Sequence, residues 1–176
     1  RDEFGEYAAP DVADSYTMGS SCLIEARKTD HPCTFIPPEW AYSYPDDESM
    51  YLKNHDIIGT GVNFWWIELG GDWDDIIKSS EEIRWELYKT IYGVWDHIKN
   101  GGDHGAENYE LIWVGNVSGM RESRRLVGEY ILTEDDIYGN RIFEDAVAYG
   151  GWPMDEHVAG GFNAKGINPS IVRNVD

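Results

Sequence analysis

A run of apolar residues at steps of three and four, between Asp74 and Asn100, constrains the fold of this chain most strongly. Its members are Ile76, Ile77, Ile83, Leu87, Ile91, Val94, Trp95 and Ile98. The spacing predicts a long helix with one buried face, because residues three and four apart lie on the same side of an α-helix. Asp74 and Asp75 suit its positive N-terminal end, and Lys99 followed by Gly101 is a typical stop.

Segments rich in β-branched and aromatic residues lie on both sides of this helix and are predicted as strands. They cover Ser20 to Arg27, Gly61 to Leu69, Tyr109 to Gly115 and Arg121 to Leu132. Glu134 to Asp136 is predicted to open a short helix or a turn, which leads to a second short helix around Phe143 to Ala148. Together these elements predict an α+β fold, a mainly antiparallel sheet of about four strands with one long helix and one or two short helices. The pattern does not order the strands.

Residues 29–56 are predicted as a long ordered loop, because they contain Pro32, Pro37, Pro38 and Pro45 among scattered aromatic residues. Such loops lie over a surface or a cleft and often carry recognition residues. A plain cover for the core is the alternative for each aromatic residue there. Residues 1–17 are predicted to be irregular.

Composition bounds the function as well as the fold. A chain of 176 residues fits one domain, and its 41% hydrophobic and 14% aromatic content indicates a packed core. The formal net charge of −19 disfavours nucleic acid and anionic membrane surfaces as partners. An uncharged or sugar-like small molecule suits this surface better. The sequence does not indicate a compartment.

Three arginines stand out against this acidic background. Arg121, Arg124 and Arg125 place three of the 14 basic residues within five positions. The guanidinium fork suits carboxylate, phosphate or polarised oxygen, so these residues are predicted to bind substrate. The alternative is a set of solvated ion pairs with local carboxylates such as Glu122. On an extended strand Arg121 and Arg125 share one face and Arg124 lies on the other.

The arginine run is one of several blocks spread over nearly the whole chain. They comprise residues 121–137, Phe143-Glu144-Asp145-Ala146-Val147-Ala148, Gly150-Gly151-Trp152-Pro153-Met154-Asp155-Glu156-His157, Gly19-Ser20-Ser21-Cys22-Leu23, residues 35–42, Phe64-Trp65-Trp66-Ile67-Glu68-Leu69-Gly70-Gly71 and residues 92–100. Taken in their order along the chain, the blocks resemble a family of bacterial FAD-dependent oxidoreductases that are sometimes named as relatives of xanthan lyases. The resemblance implies an enzyme that dehydrogenates an alcohol or a sugar-like compound, with hydride transfer to the flavin.

The resemblance also identifies what this chain lacks. FAD is commonly bound where a strand, a G-x-G-x-x-G turn and a helix follow one another. The nearest imitation here is Gly59-Thr60-Gly61, where Phe64 stands at the third glycine position. Residues 1–176 are therefore predicted to be a single substrate-binding domain, and the FAD-binding Rossmann segments are expected in the parent protein. The isolated chain is expected to hold no FAD and to be inactive.

The resemblance places Arg121, Arg124 and Arg125 near the junction of flavin and substrate. Trp65 and Trp66 are adjacent on a predicted strand, so one ring is expected in the core and the other can stack on a sugar. These five residues are the predicted substrate-binding set.

His97 and His104 are the predicted catalytic residues. Oxidation of an alcohol by flavin requires a proton acceptor, and imidazole titrates near neutral pH. A structural or merely exposed histidine is the alternative for each. No structural metal is predicted, because His31 and Cys33 lack a second ligand pair and no H-E-x-x-H motif occurs. Cys22 and Cys33 permit a disulfide without establishing one.

A second class of function remains open on the sequence. The 8 Trp and 11 Tyr residues, together with the acidic surface, also suit a non-catalytic carbohydrate-binding module. The order of the blocks favours the oxidoreductase.

Overall fold

The computed structural model describes residues 11–12, 16–58, 64–73, 75–121, 126–151, 153–165 and 170–173. They fall into two compact units. The larger contains residues 16–58, 64–73, 75–121 and 158–165, and the smaller contains residues 11–12, 126–151, 153–157 and 170–173. The predicted α+β class, with an antiparallel sheet and one long helix, is confirmed.

A four-stranded antiparallel sheet forms one layer of the larger unit. Its strands are β1 (Tyr16–Lys28), β2 (Phe64–Asp72), β3 (Tyr109–Val114) and β4 (Gly119–Met120). The long strand β1 is central, with β2 on one side and β3 and β4 on the other. Ser21 lies opposite Glu68 and Leu23 lies opposite Trp66. This register decides which side chains share each face of the sheet.

The helix α1 (Ser80–Asn100) forms the second layer and packs on one face of this sheet. Its apolar stripe is buried as the spacing predicts, and the sheet contributes alternate residues of β1 and β2 to the same core. The members of that core include Ile83, Leu87, Ile91, Val94 and Ile98 from α1 with Cys22, Ile24, Ile67 and Leu69 from the sheet. Burial of these aliphatic side chains is the main stabilising term for the unit.

The helix begins at Ser80, six residues later than the predicted start at Asp74. The carboxylate of Asp75 accepts hydrogen bonds from the backbone N–H groups of Ile77 and Lys78, at 3.0 and 3.1 Å. Such local bonds offer the backbone an alternative to the helix, so a turn precedes α1. Ile76 in this turn is still buried in the core.

The predicted long loop is confirmed. Apart from one 3-10 turn at Glu48–Met50, residues 29–58 contain no helix or strand. Met50 and Ile57 are nevertheless fully buried. These two buried side chains anchor the loop in the core. The polar groups of the loop are therefore held against the helix.

The smaller unit contains the short helix α2 (Glu134–Tyr138) and a two-stranded antiparallel ladder of β5 (Met154–His157) and β6 (Ser170–Arg173). The predicted short helix at Glu134 is confirmed. Thr133 caps it, accepting from the N–H of Asp136, whose carboxylate accepts in return from the N–H of Thr133. This capping box satisfies N–H groups that the first turn leaves unpaired.

Two predicted elements are wrong where the structure describes them. Residues 126–132 form no strand and residues 143–148 form a turn rather than a helix. Residues 122–125 of the predicted strand lie outside the described part of the chain. Leu126 and Val147 are almost fully exposed, so the apolar residues that suggested these elements bury no face that would stabilise them. None of the described helices is long and apolar enough to cross a membrane.

Candidate functional site

Close packing between α1 and the long loop builds the first part of the site. The backbone N–H of Tyr42 donates to the carbonyl oxygen of Lys89, at 3.0 Å. A Cβ atom at Gly93 would lie only 2.2 Å from the carbonyl oxygen of Tyr42, so the approach requires glycine on the helix. This contact brings Tyr44 and Asp47 of the loop onto the last turns of α1.

His97 lies in the last turn of α1 and is buried. Its Nδ1 atom is 2.8 Å from the carbonyl oxygen of Tyr44, and its Nε2 atom is 3.2 Å from Oδ1 of Asp47. Both ring nitrogens therefore face the loop, and the imidazole is held in one orientation.

Two further histidine rings lie beside His97. His55, from the loop, places its Nδ1 atom 2.8 Å from the carbonyl oxygen of Lys53 and its Nε2 atom 3.7 Å from Oδ1 of Asp47. His104, from the connection between α1 and β3, has its ring centroid 4.8 Å from that of His97 and 5.0 Å from that of His55. Each of the three contributes a nitrogen within 4.8 Å of the other two. We call these residues the histidine cluster.

The histidine cluster borders a cleft of about 320 Å³. The cleft is lined by Lys53, Asn54, His55, Asp56, Ile58, Ile98, Asp103 and His104. Burial lowers the pKa of His104, and the neighbouring imidazoles of His55 and His97 lower it further. Burial also lowers the pKa of Lys53, whose ammonium group donates to the carbonyl oxygen of Ala164.

The sequence identified two members of this cluster. His97 and His104 were predicted separately as catalytic residues, and the structure brings them together; their catalytic role stays a prediction. His55 and Asp47 were missed, because both belong to the long loop and no local spacing relates them to α1. Only the path of the loop over Gly93 shows that they lie beside α1.

The predicted substrate-binding residues lie elsewhere in the larger unit. Arg121 follows β4; its Nε donates to Oγ of Ser21, at 2.8 Å, and its Nη2 donates to the buried carboxylate of Glu68. The Nε1–H of Trp66 donates to the same carboxylate, at 3.0 Å. Arg121 thus pairs with a residue 53 positions away in the chain. Arg124 and Arg125 lie outside the described residues.

The two predicted tryptophans point in different directions, as adjacent strand residues must. Trp65 packs against the core, whereas Trp66 is 43% exposed. Leu23 and Trp113 are also partly exposed, at 39% and 44%. Register places Leu23 beside Trp66, on the sheet face opposite α1. We call Ser21, Leu23, Trp66, Glu68, Trp113 and Arg121 the outer sheet face.

The sheet therefore separates the two sets of predicted site residues. Ile67 and Leu69 of β2 face α1, and Trp66 and Glu68 alternate with them toward the outer sheet face. His97 lies on α1, beyond the inner face. Trp66 and the histidine cluster therefore lie on different sides of the sheet.

The described residues do not fit the pyrophosphate of FAD. The connection from β2 to α1 places Asp75 ahead of a first turn that carries Glu81 and Glu82, and these carboxylates oppose a phosphate at the helix N-terminus. Gly59-Thr60-Gly61 lies outside the described residues, and the chain continues from there into β2 rather than into a helix.

Comparison with known proteins identifies one family. A sequence profile described as FAD dependent oxidoreductase matches residues 6–173. Neither a curated protein nor a solved structure matches the chain.

Proposed function

We propose, from the premise that this chain belongs to the family of FAD dependent oxidoreductases, that it forms the substrate-binding region of such an enzyme. The profile match over residues 6–173 is the observation that carries the proposal. It favours the oxidoreductase over a carbohydrate-binding module. Because the described residues do not fit the pyrophosphate, we place the cofactor on FAD-binding segments elsewhere in the parent protein, which are then the partner of this chain.

The outer sheet face is our proposed contact surface for the substrate. FAD, when bound, supplies the acceptor for a hydride from an alcohol or sugar-like compound. Trp66 offers a partly exposed ring whose N–H donates to the carboxylate of Glu68, and this bond restricts the orientation of the ring for stacking. Arg121 adds hydrogen-bond donors beside that ring, suited to a hydroxyl or carbonyl oxygen. Strands give these side chains a rigid base.

Charge supports an uncharged substrate. With a formal net charge of −19, the chain repels anions unless a local basic group compensates. Arg121 is already paired with Glu68 and offers little excess positive charge. A neutral polyhydroxylated compound is therefore favoured over a phosphorylated or carboxylated one.

The general-base role of His97 and His104 stays a prediction for a substrate that enters the cleft. A base must come within about 3 Å of the hydroxyl proton that it accepts. Since the sheet separates the histidine cluster from Trp66, a substrate stacked on Trp66 requires a proton acceptor other than these histidines.

A pair of tryptophan variants tests the proposed surface. In the FAD-loaded enzyme, Trp66→Ala should raise the substrate concentration for half-maximal anaerobic flavin reduction by about twofold to thirteenfold, because an aromatic contact contributes about 0.5–1.5 kcal/mol. Trp85→Ala is the matched control, since Trp85 is 51% exposed on α1, which packs on the opposite face of the sheet. Equal values for both variants would remove Trp66 from the substrate site.

A pair of arginine variants tests the donor. Arg121→Lys keeps the charge and loses the fork, so flavin reduction should slow while the melting temperature changes little. Arg27→Lys is the control, because Arg27 makes an exposed ion pair with Glu110 on β1 and β3. If Arg121→Lys lowers the melting temperature while the folded enzyme reduces flavin at the original rate, Arg121 is structural.

A further inference from the structure

We propose that His55, His97 and His104 together bind one divalent transition-metal ion of the zinc class. The proposal concerns a site on the α1 side of the sheet and goes beyond the proposed function, which places the substrate on the outer sheet face. A metal ion on these imidazoles takes the lone pairs that a general base needs, so it replaces the base role predicted for His97 and His104. Three imidazoles from three separate segments converge here, and each contributes a nitrogen within 4.8 Å of the other two.

Hydrogen bonding fixes which nitrogens are available to a metal. A backbone carbonyl oxygen only accepts, so the Nδ1 atoms of His55 and His97 must carry the protons that they donate to Lys53 and Tyr44. In the neutral rings the Nε2 atoms are then unprotonated and present lone pairs. Metal-binding histidines almost always donate their other ring N–H to a carbonyl or carboxylate in this way, which sets the tautomer and the orientation of the ring.

Asp47 makes a cation the natural occupant. Its Oδ1 atom is 3.2 Å from Nε2 of His97 and 3.7 Å from Nε2 of His55. When the rings are neutral, lone pairs of two imidazoles and one carboxylate point toward one another and repel. A positive charge among them relieves this repulsion. A divalent ion supplies that charge to all of these groups at once. The carboxylate is an acceptable zinc ligand or a charge partner next to the ion.

The distances require only a small closure. Zinc binds imidazole nitrogen at about 2.0–2.1 Å, so nitrogens on one tetrahedral ion are about 3.3 Å apart. The nitrogens of the histidine cluster lie up to 4.8 Å apart, so closure moves ligands by about 1 Å. His97 is fixed on α1, whereas His55 and His104 lie on loops that can make this adjustment.

Ligand chemistry selects the class of metal. Imidazole nitrogen suits Zn²⁺, Cu²⁺, Ni²⁺ and Fe²⁺, whereas Ca²⁺ and Mg²⁺ prefer oxygen ligands. Asp56 and Asp103 line the adjoining cleft together with one basic residue, Lys53, whose ammonium group donates to the carbonyl oxygen of Ala164. The two carboxylates and the acidic surface therefore still attract a cation to the mouth of the cleft. Three histidines leave a fourth position for Asp47 or for a molecule in the cleft. The ion would also tie the long loop and the connection after α1 to the end of the helix.

Metal titration of the 176-residue chain tests the proposal without flavin or substrate. After removal of metals with a chelator, calorimetric titration with Zn²⁺ should show one site per chain, and Zn²⁺ should raise the melting temperature. Titration with Co²⁺ should give the visible absorption of a tetrahedral site. His104→Ala and His55→Ala change loop residues and should each weaken binding by more than about 100-fold, since loss of supporting groups alone costs 10–100-fold.

His31→Ala is the matched control, because His31 is an exposed histidine beside Asp30 in the same long loop. It should bind Zn²⁺ as tightly as the unaltered chain. The absence of saturable one-to-one binding would overturn the proposal, as would binding by His104→Ala at unaltered affinity. Because no flavin reduction is measured, either failure leaves the assignment of the outer sheet face untouched.

Discussion

At Gly93, α1 and the long loop approach so closely that no side chain has room. A Cβ atom there would lie 2.2 Å from the carbonyl oxygen of Tyr42 and 2.9 Å from the ring of Tyr44. The same contact places the carbonyl oxygen of Tyr44 where it accepts from His97. A single glycine thus determines whether the loop can present Asp47 and His55 to the helix.

We expect Gly93→Ala to destabilise the fold by about 1 kcal/mol or more. Alanine gains about 1 kcal/mol in helix propensity, but a Cβ atom 2.2 Å from a backbone carbonyl oxygen is a severe overlap that displaces the loop, so its cost lies at or above the upper part of the usual range of about 1–3 kcal/mol. Gly150→Ala is the control, because a Cβ atom there meets nothing within 4 Å. Urea denaturation measures both. A Gly93→Ala variant as stable as the original chain would show that the loop does not pack on α1 as described.

The two thiols should differ in reactivity. Both cysteines are free; Cys22 is buried, whereas Cys33 is only partly buried. Burial raises the pKa of the Cys22 thiol, so less of its reactive thiolate forms at mildly alkaline pH. One thiol per native chain should react quickly with Ellman's reagent at pH 8, and two should react after denaturation. Cys33→Ser should abolish the fast phase; a fast phase that survives would contradict the burial of Cys22.

At the scale of elements, α1 is the main test of the core. Leu87→Ala should lower the free energy of unfolding by about 2–5 kcal/mol, because it removes fully buried aliphatic bulk from the face that packs on the sheet. Glu82→Ala changes an exposed residue of the same helix and should cost well under about 1 kcal/mol. Chemical denaturation compares them. Equal losses would mean that α1 buries a different face.

The elements that sequence predicted best are those with a strong local signal. The apolar period of three and four identified α1 and its buried face, and alternation within β2 separated Trp65 from Trp66. The start of α1 was missed because the Asp75 carboxylate caps a turn instead of a helix. The predicted strand through residue 132 failed because local β propensity cannot reveal whether a partner strand is present.

The sites depend more heavily on contacts between distant segments. His97 and His104 could be proposed singly from residue type. Their proximity to His55 and Asp47 depends on the path of the loop over Gly93, which the sequence does not show. Likewise, the pairing of Arg121 with Glu68 depends on strand register, which places Ser21 opposite Glu68. Local spacing suggested only a carboxylate near the arginine run, such as Glu122, as an alternative to substrate binding.

At the scale of the whole molecule, the family of this chain has to be considered together with the charge at the start of its long helix. The profile match assigns the chain to FAD dependent oxidoreductases, yet the first turn of α1 is acidic and does not fit the pyrophosphate. We therefore propose that this chain carries the substrate-binding face and that other segments of the parent protein hold the cofactor.

The most direct test of this account is whether the 176-residue chain holds FAD. We expect purified, folded chain that has been incubated with FAD to be colourless after gel filtration. The reason is that its described residues provide no binding site for the pyrophosphate. The visible flavin absorbance of the protein peak is the measurement. A stoichiometric flavin band that survives gel filtration would contradict the account, since residues assigned here to the substrate would then hold the cofactor.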